Sequence, residues 1–137
     1  MAAIKKSAKG SLSPSGKKVK ILLVEDDRMI VEMYHLKFQE EGYDVVIAED
    51  GKMGLAKAID ETPDIILLDV ILPEMDGFSV LKCLKNEELC KNIPVILLTN
   101  LGQDGDVKRG LQLGAVDYLI KANYTPSQVV ARIKSYI

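Results

Sequence analysis

The stretch that most constrains the fold of this chain is PDIILLDVILPEMDG, residues 63–77. Its four consecutive aliphatic residues, 65–68, suit a strand that is covered on both faces, as in a parallel sheet with helices on each side. Asp69 follows directly, and open α/β sheets bind their ligands at the carboxyl ends of such strands. Taken alone, however, this stretch is explained better by a polar residue that simply ends a strand.

Strand-like and helix-like segments alternate along the rest of the chain. Further short apolar runs occupy residues 20–24, 45–48, 94–98 and 116–120. Helical patterns follow the runs, at about residues 29–41, 51–61, 77–86, 104–113 and 125–137. Five β/α units predict a single α/β domain with a five-stranded parallel sheet, right-handed crossovers and helices on both faces.

Local signals mark several of the helix ends. Asp104 or Asp106 is expected to cap the fourth helix, and Thr125 opens a capping box that ends at Gln128. Asp27 is expected to cap the first helix rather than to bind a metal. The expected buried stripe of that first helix consists of Ile30, Met33, Tyr34 and Phe38.

Charge and composition exclude several classes of function. Residues 1–18 are expected to form a flexible basic tail, because the first 20 residues hold six lysines and no acid. The remainder carries 12 basic and 20 acidic side chains, a net charge of −8, which argues against direct nucleic-acid binding. Apolar runs are too short for a membrane span, and Cys83 and Cys90 lack metal-site spacing. A cytoplasmic protein with reduced cysteines is therefore expected.

The strands of a parallel sheet point the same way, so the residues that follow the apolar runs should meet along one edge. These residues are Glu25, Asp26 and Asp27 after the first run, Asp69 after the third, Thr99 after the fourth and Lys121 after the fifth. Clustered carboxylates repel one another, and a hard divalent cation such as Mg²⁺ neutralises them. An ionised carboxylate can also attack phosphorus, with a metal ion, a lysine and a hydroxyl stabilising the charge.

These residue types predict a metal-dependent phosphoryl site. Asp26 and Asp69 would bind Mg²⁺ directly, and Glu25 would act through water. Lys121 would bind the phosphoryl group as a point charge, and Thr99 would donate one more hydrogen bond.

Four separated motifs resemble those of the receiver domain of two-component response regulators. They are ILLVEDD at 21–27, IILLDVILPEMDG at 65–77, PVILLTN at 94–100 and GAVDYLIK at 114–121. The resemblance covers residues 19–137 and implies a flavodoxin-like sheet in the order 2-1-3-4-5. It also implies transfer of a phosphoryl group from a phosphohistidine to Asp69 with Mg²⁺, Mn²⁺ being the alternative ion.

The resemblance further implies a role for each matching residue. The metal would also be held by the backbone carbonyl of Ile71, and Thr99 and Lys121 would sense the phosphoryl group. Tyr118 looks like the aromatic residue whose inward or outward rotamer reports phosphorylation to the face formed by helix four, strand five and helix five. Such a domain catalyses its own phosphorylation and dephosphorylation and is not a conventional enzyme.

The partners that the resemblance implies are a histidine kinase or histidine phosphotransfer domain and a downstream protein target, with no direct nucleic acid and no membrane. The chain ends where the fifth helix ends, so a stand-alone regulator or an excised receiver is expected. Its oligomeric state would be a monomer or a phosphorylation-dependent dimer. Met29 and Leu36 are either a docking patch for the phosphoryl donor or ordinary surface residues.

Several positions depart from the family pattern. Ala122 stands where the family usually has proline, and a cis bond before a residue other than proline costs roughly 3 kcal/mol. The Lys121–Ala122 bond is therefore either trans or strained. Ile71 and Leu101 are apolar at two positions that commonly flank the phosphoryl group. Their bulk is expected to hinder an attacking water and to make the acyl phosphate long-lived.

Three alternative functions stay open on the sequence alone. A phosphorylation-independent interaction module would keep this fold with Asp69 unmodified; the retained acidic residues argue against it and Ala122 argues for it. An aspartyl-phosphate hydrolase generally carries an acid two residues after its nucleophile, where this chain has Ile71. A flavodoxin would need a phosphate-cradling loop after the first strand, where acids would repel the FMN phosphate.

Overall fold

The computed structural model describes residues 16–137, in which strands and helices alternate throughout. In chain order the elements are β1 (Lys20–Val24), α1 (Arg28–Glu40), β2 (Asp44–Ala48), α2 (Gly51–Glu61), β3 (Ile65–Leu68), α3 (Gly77–Asn86), β4 (Val95–Thr99), α4 (Asp104–Gln112), β5 (Asp117–Ile120), a 3₁₀ turn (Lys121–Asn123) and α5 (Pro126–Lys134). Residues 1–15, most of the predicted basic tail, lie outside this description. Within it, the helices are too short or too polar to cross a membrane.

The five strands form one parallel sheet in the order β2-β1-β3-β4-β5, which confirms the predicted fold. The register pairs Val24 with Leu68 and Leu68 with Leu97. The residues after Val24 and Leu68 therefore lie side by side at the carboxyl edge of the sheet. β4 continues past Leu97 to Thr99, which pairs with Ile120. β1, β3 and β5 thus deliver the residue that follows each strand to this edge, and β4 delivers its last residue, Thr99.

Alternate residues of the strands face two separate apolar cores. Ile65 and Leu67 of β3 join the core beneath α1 and α5, while Ile66 and Leu68 join the core beneath α2, α3 and α4. All four side chains are fully buried, and each such burial stabilises the fold by about 2 kcal/mol. Coverage on both faces explains why this strand is continuously aliphatic rather than alternating.

The helix starts agree with the predicted caps except at α4. The Asp27 carboxylate accepts hydrogen bonds from the amides of Met29 and Ile30, so Asp27 caps α1 as expected. The prediction that Asp104 or Asp106 caps α4 is wrong, because Gln103 occupies the N-cap and makes no side-chain cap bond. Both aspartates lie instead inside the first turn, where their charge still complements the helix dipole.

The buried stripe of α1 also differs from the prediction. Tyr34 and Phe38 are buried as expected, but Met33 is 44% exposed and Val31 is buried in its place. Positions 31, 34 and 38 follow the i, i+3, i+7 spacing of one helix face. Because neighbouring positions of α1 are also apolar, the pattern alone did not select the phase of the helix.

Helix α4 approaches the sheet closely at Gly110, the one buried residue among its described positions. A Cβ atom added there would lie 2.5 Å from Leu97 Cδ1 and 2.8 Å from Tyr118 Cδ2. These distances are well inside van der Waals contact, so the glycine leaves the space that the Tyr118 ring occupies.

The predicted capping box at α5 is confirmed, and it can be tested by mutation. The Thr125 hydroxyl accepts from the Gln128 amide at 3.2 Å, and the Gln128 side chain accepts from the Thr125 amide at 2.8 Å. We expect Thr125→Ala to lower the free energy of unfolding by about 1 kcal/mol, because the helix loses its cap. Urea unfolding followed by circular dichroism measures this as a lower midpoint at unchanged slope.

The control is Gln103→Ala, at the N-cap that makes no side-chain bond. It should change the free energy of unfolding by less than about 0.5 kcal/mol. Equal losses in the two variants would contradict the stabilising role of the capping box.

Candidate functional site

A cavity of about 330 Å³ opens at the carboxyl edge of the sheet. Its lining includes six residues that the sequence predicted for one site: Glu25, Asp26, Asp69, Ile71, Thr99 and Lys121. They come from the ends of β1, β3, β4 and β5 and from the loop after β3. The parallel arrangement of strands therefore brings together carboxylates, a hydroxyl and an ammonium group, as the edge argument predicts.

Asp69 is held at the tip of β3 by hydrogen bonds to both carboxylate oxygens. Oδ1 accepts from the amides of Val70 at 2.7 Å and Ile71 at 3.3 Å, and Oδ2 accepts from Lys121 Nζ at 2.8 Å. The following loop folds back so closely that a Cβ at Gly77 would lie 2.1 Å from the Asp69 carbonyl oxygen. Asp69 is 6% exposed, so the orientation of its side chain is set by the protein rather than by solvent.

Glu25 shares the same lysine. Its Oε1 lies 2.5 Å from Lys121 Nζ, and its Oε2 accepts from the Asp27 amide at 3.1 Å. Burial raises the pKa of the Glu25 carboxyl, although the Lys121 ammonium opposes that shift. Glu25 therefore sits where its charged form depends on a nearby cation.

Lys121 bridges the two buried carboxylates. Burial alone would lower the pKa of its ammonium, but the hydrogen bonds and charges of Asp69 and Glu25 together raise it. The lysine thus stays charged at neutral pH. It begins the 3₁₀ turn after β5, and its bond to Ala122, like every peptide bond in residues 16–137, is trans.

The donor set fits a hard divalent cation. Glu25, Asp26 and Asp69 each offer a carboxylate oxygen, and these atoms lie within 4.8 Å of one another. With Lys121 present, the cluster has a net charge of about −2, which a divalent cation would neutralise. Oxygen ligands of this kind are those that Mg²⁺ prefers. Asp26 is exposed while the other two are buried, so an approaching ion would meet Asp26 from the solvent side.

Thr99 and Tyr118 meet at one backbone segment that side-chain reasoning did not anticipate. The buried Thr99 hydroxyl accepts from the Leu101 amide at 3.3 Å, and the Tyr118 hydroxyl donates to the Leu101 carbonyl. Burial raises the pKa of Tyr118 to about 12, so it remains a donor. Among the described residues, Tyr118 is not part of the cavity lining, and its hydrogen bond links it to the cavity residue Thr99 through Leu101.

The two apolar residues expected above the site have different positions. Ile71 is 62% exposed and lines the cavity. The Leu101 side chain instead packs against the core beneath α2, α3 and α4, and among the described residues it is not part of the cavity lining. Of the two residues, only Ile71 therefore places a bulky side chain at the cavity.

Comparison with known proteins agrees with this geometry. The family model described as "Response regulator receiver domain" matches residues 21–134. The chain is 42% identical over 118 residues to the alkaline phosphatase synthesis transcriptional regulatory protein PhoP of Bacillus subtilis, covering 86% of this chain and 48% of that protein. It is 40% identical over 116 residues to the phosphate regulon transcriptional regulatory protein PhoB of Escherichia coli, covering 85% and 50%. The chain thus spans about half the length of these curated relatives.

Solved receiver structures also match this chain, over nearly the whole length of each matched chain. Chemotaxis protein CheY4 of Vibrio cholerae matches with a TM-score of 0.81 at 30% identity, covering 87% of this chain and 98% of that one. A CheX–CheY–BeF₃–Mg²⁺ complex from Borrelia burgdorferi matches with a TM-score of 0.85 at 27% identity, covering 93% and 96%. The five-stranded fold is therefore shared with these proteins.

Removing the lysine between the carboxylates should make stability depend strongly on pH. In the Lys121→Met variant without a divalent cation, no positive charge offsets the repulsion between Glu25 and Asp69. The folded-state pKa of Glu25 therefore rises further. A carboxyl whose folded pKa exceeds its unfolded pKa contributes stability at low pH that is lost as pH rises through the folded pKa. We expect the free energy of unfolding of Lys121→Met to be about 2 kcal/mol lower than that of wild type near pH 8, and the difference to be smaller near pH 5. This loss is below the ~3–5 kcal/mol expected when a fully buried pair is broken.

Urea unfolding with EDTA at the two pH values measures this deficit. The matched control is Lys20→Met, which breaks the more exposed pair with Glu61. That control should cost less than about 1 kcal/mol, with no added pH dependence between the two conditions. A pH-independent deficit in Lys121→Met would contradict the electrostatic role.

Proposed function

The chain belongs to the response regulator receiver domain family of two-component systems, and from that premise we propose that it accepts a phosphoryl group on Asp69 with Mg²⁺. The observation that carries the proposal is the Asp69 carboxylate, bonded to Lys121 Nζ at 2.8 Å, inside a three-carboxylate cluster. A nucleophile, a fixed cation and a metal donor set thus occupy one cavity. The phosphoryl donor is a histidine kinase or a histidine phosphotransfer domain.

Each residue has a chemical task in this proposal. Asp26, Asp69 and the Ile71 carbonyl would hold Mg²⁺, and Glu25 would contribute through water. When bound, Mg²⁺ supplies positive charge that offsets the carboxylates and the phosphoryl oxygens. Lys121 keeps one ammonium hydrogen bond on the cluster and directs another to the phosphoryl group.

Thr99 and Tyr118 carry the change away from the site. The Thr99 hydroxyl turns to donate to a phosphoryl oxygen and so releases the Leu101 amide that it accepts from in this structure. The Leu101 carbonyl is the acceptor for Tyr118, so a shift of this backbone frees the ring to change rotamer. Phosphorylation then alters the face formed by α4, β5 and α5, which is the surface offered to a downstream protein.

The proposed context follows the family. Residues 19–137 act as the receiver in the cytoplasm and residues 1–18 as a basic tail, with the protein a monomer or a phosphorylation-dependent dimer. The solved complex with CheX, BeF₃ and Mg²⁺ supports a metal and a partner protein for a domain of this shape. Met29 and Leu36, which are 82% and 61% exposed, provide apolar area on α1 for the phosphoryl donor.

Modification at Asp69 is tested directly by mass. With acetyl phosphate and Mg²⁺, the intact wild-type chain should gain the mass of one phosphoryl group, and EDTA should prevent the gain. Asp69→Asn should gain none, because the amide is not a nucleophile. The control Asp60→Asn, an exposed carboxylate at the end of α2, should behave as wild type.

Either of two results would refute the proposal. One is an unmodified wild-type chain under excess donor, with Mg²⁺ present. The other is a phosphoryl group found on the Asp69→Asn variant at the wild-type yield.

The lifetime of the phosphoryl group should depend on Ile71. Replacing this exposed aliphatic by asparagine opens the cavity to water and supplies a group that orients it, so hydrolysis should accelerate by up to about tenfold. Leu101→Glu should have a smaller direct effect, because that side chain packs into the core. Loss of radioactive label from the phosphorylated proteins measures both rates.

A similar substitution away from the cavity provides the reference. Leu89 is 60% exposed, close to the 62% of Ile71, and Leu89→Asn should leave the decay unchanged. Equal decay in wild type, Ile71→Asn and Leu101→Glu would reject the shielding hypothesis.

A further inference from the structure

Helix α4 is held against the sheet by few buried groups. Gly110 is the one buried residue between positions 104 and 112, and Val107 packs against the core from a partly buried position. The N-cap residue, Gln103, makes no side-chain cap bond. Elements that bury little apolar surface open and move at a low cost in free energy. A further contact of this helix therefore has a large share in fixing its position.

Arg109, in the last turn of α4, makes such a contact with α3. Its guanidinium carbon lies 4.5 Å from the centroid of the Phe78 ring, within the ~6 Å over which a cation is attracted to an aromatic face. Phe78 is 4% exposed and belongs to the core beneath α2, α3 and α4, whereas Arg109 is exposed. The guanidinium therefore covers the ring from the solvent side and joins the last turn of α4 to the first turn of α3.

The first turn of α3 closes the loop that begins at Asp69. Asp76 caps this turn, since its carboxylate accepts from the Ser79 amide at 3.0 Å. Burial acts to raise the pKa of the Asp76 carboxyl, but hydrogen bonds from the start of α3 and the charge of Arg109 hold it below its ordinary value. Gly77 then packs against the Asp69 carbonyl oxygen. Arg109 therefore contacts the segment that supports Asp69.

Gly110, the next residue of α4, lies against Tyr118. A Cβ atom at Gly110 would lie 2.8 Å from Tyr118 Cδ2, so the helix backbone and the ring are in close contact. Because Arg109 and Gly110 are consecutive, a movement of α4 that opens the Phe78 contact also moves the backbone against which Tyr118 packs. The phosphoacceptor loop and Tyr118 are therefore joined by a route separate from the hydrogen bonds at Leu101.

The segment at Leu101 can move this helix. Leu101 lies three residues before Asp104, where α4 begins, and its amide donates to the Thr99 hydroxyl at 3.3 Å. The backbone shift proposed for this segment is therefore passed to α4 and separates Arg109 from Phe78. The stack between these two side chains stabilises one arrangement of α4 and opposes the other.

From these contacts we infer that Arg109 is a positioning residue: by stacking on Phe78 it holds α4 in the arrangement of this structure and opposes phosphorylation of Asp69. The inference rests on the proposed function and goes beyond it, since it assigns control of the site to a residue outside the cavity. A group that binds at the phosphoryl position and shifts α4 must also break this stack. Removal of the stack must therefore tighten the binding of that group.

The test measures the affinity of the full chain for beryllofluoride, which occupies the phosphoryl position without being hydrolysed. Amide signals in nuclear magnetic resonance spectra, followed during titration with Mg²⁺ in excess, give the Kd. Arg109→Met removes the charge and keeps an aliphatic stem. Lys108→Met is the matched control, because it removes a positive charge from the neighbouring exposed position of the same helix.

We expect Arg109→Met to lower the Kd for beryllofluoride about threefold, as for the loss of one cation–π contact at the surface. Lys108→Met should keep the wild-type Kd. Arg109→Lys leaves a cation above the ring, so its Kd should lie closer to wild type than that of Arg109→Met. An unchanged or raised Kd in Arg109→Met would overturn the inference, and so would equal falls in Arg109→Met and Lys108→Met.

A double-mutant cycle tests whether Arg109 acts through the ring. Phe78→Leu keeps an apolar side chain in the core and removes the aromatic face. In that background Arg109→Met should cause no further fall in the Kd. A further threefold fall would show that the arginine acts by its charge alone and would overturn the inference. If Phe78→Leu does not fold, the comparison of the Arg109 variants with Lys108→Met decides the question.

Hydrogen exchange separates this inference from the proposed function, because it needs neither Mg²⁺ nor beryllofluoride. In Arg109→Met the amides of α4 should exchange about threefold faster than in wild type, while those of α5 keep their rates. Faster exchange with an unchanged Kd would leave Arg109 a purely structural contact and overturn the inference. If the wild-type signals do not respond to beryllofluoride with Mg²⁺, the proposed function fails. If they respond and every variant has the same Kd, only the role of Arg109 fails.

Discussion

One lysine shared between two buried carboxylates is the interaction on which the rest of the site depends. Glu25 and Asp69 come from adjacent strands whose register places them side by side, and Lys121 reaches both from the far side of β4. Without a cation, two buried charges of the same sign would oppose the pairing of β1 with β3 at its end. The pairing of β1 with β3 therefore depends on the charge of Lys121 as well as on hydrophobic burial.

Close contacts with α2 and α3 hold the loop after β3 in place. The Gly51 amide donates to the Pro73 carbonyl at 3.1 Å, and a Cβ at Gly51 would lie 1.8 Å from the Met75 carbonyl oxygen. Gly77 meets the Asp69 carbonyl in the same way. Because both positions are glycine, α2 and α3 can pack closely against the loop that follows Asp69. This packing holds the Asp69 carboxylate in place.

The sequence predicts the sheet, its order and the meeting of the edge residues because these follow from strand direction and from well-separated motifs. Prediction from the sequence fails where several local arrangements have similar energies. Along α1, apolar residues at 30, 31 and 33 permit two helix phases, and only packing against the sheet selects Val31 over Met33. The joint contact of Thr99 and Tyr118 with Leu101 could not be predicted either, since it uses backbone atoms that every residue has.

The glycine at position 110 constrains what can replace it. The Tyr118 ring fills the space that any larger residue at position 110 would need. A substitution of Gly110 on α4 would therefore displace the ring directly. Because the Tyr118 hydroxyl donates to the Leu101 carbonyl, displacing the ring would also disturb the backbone segment whose amide donates to Thr99.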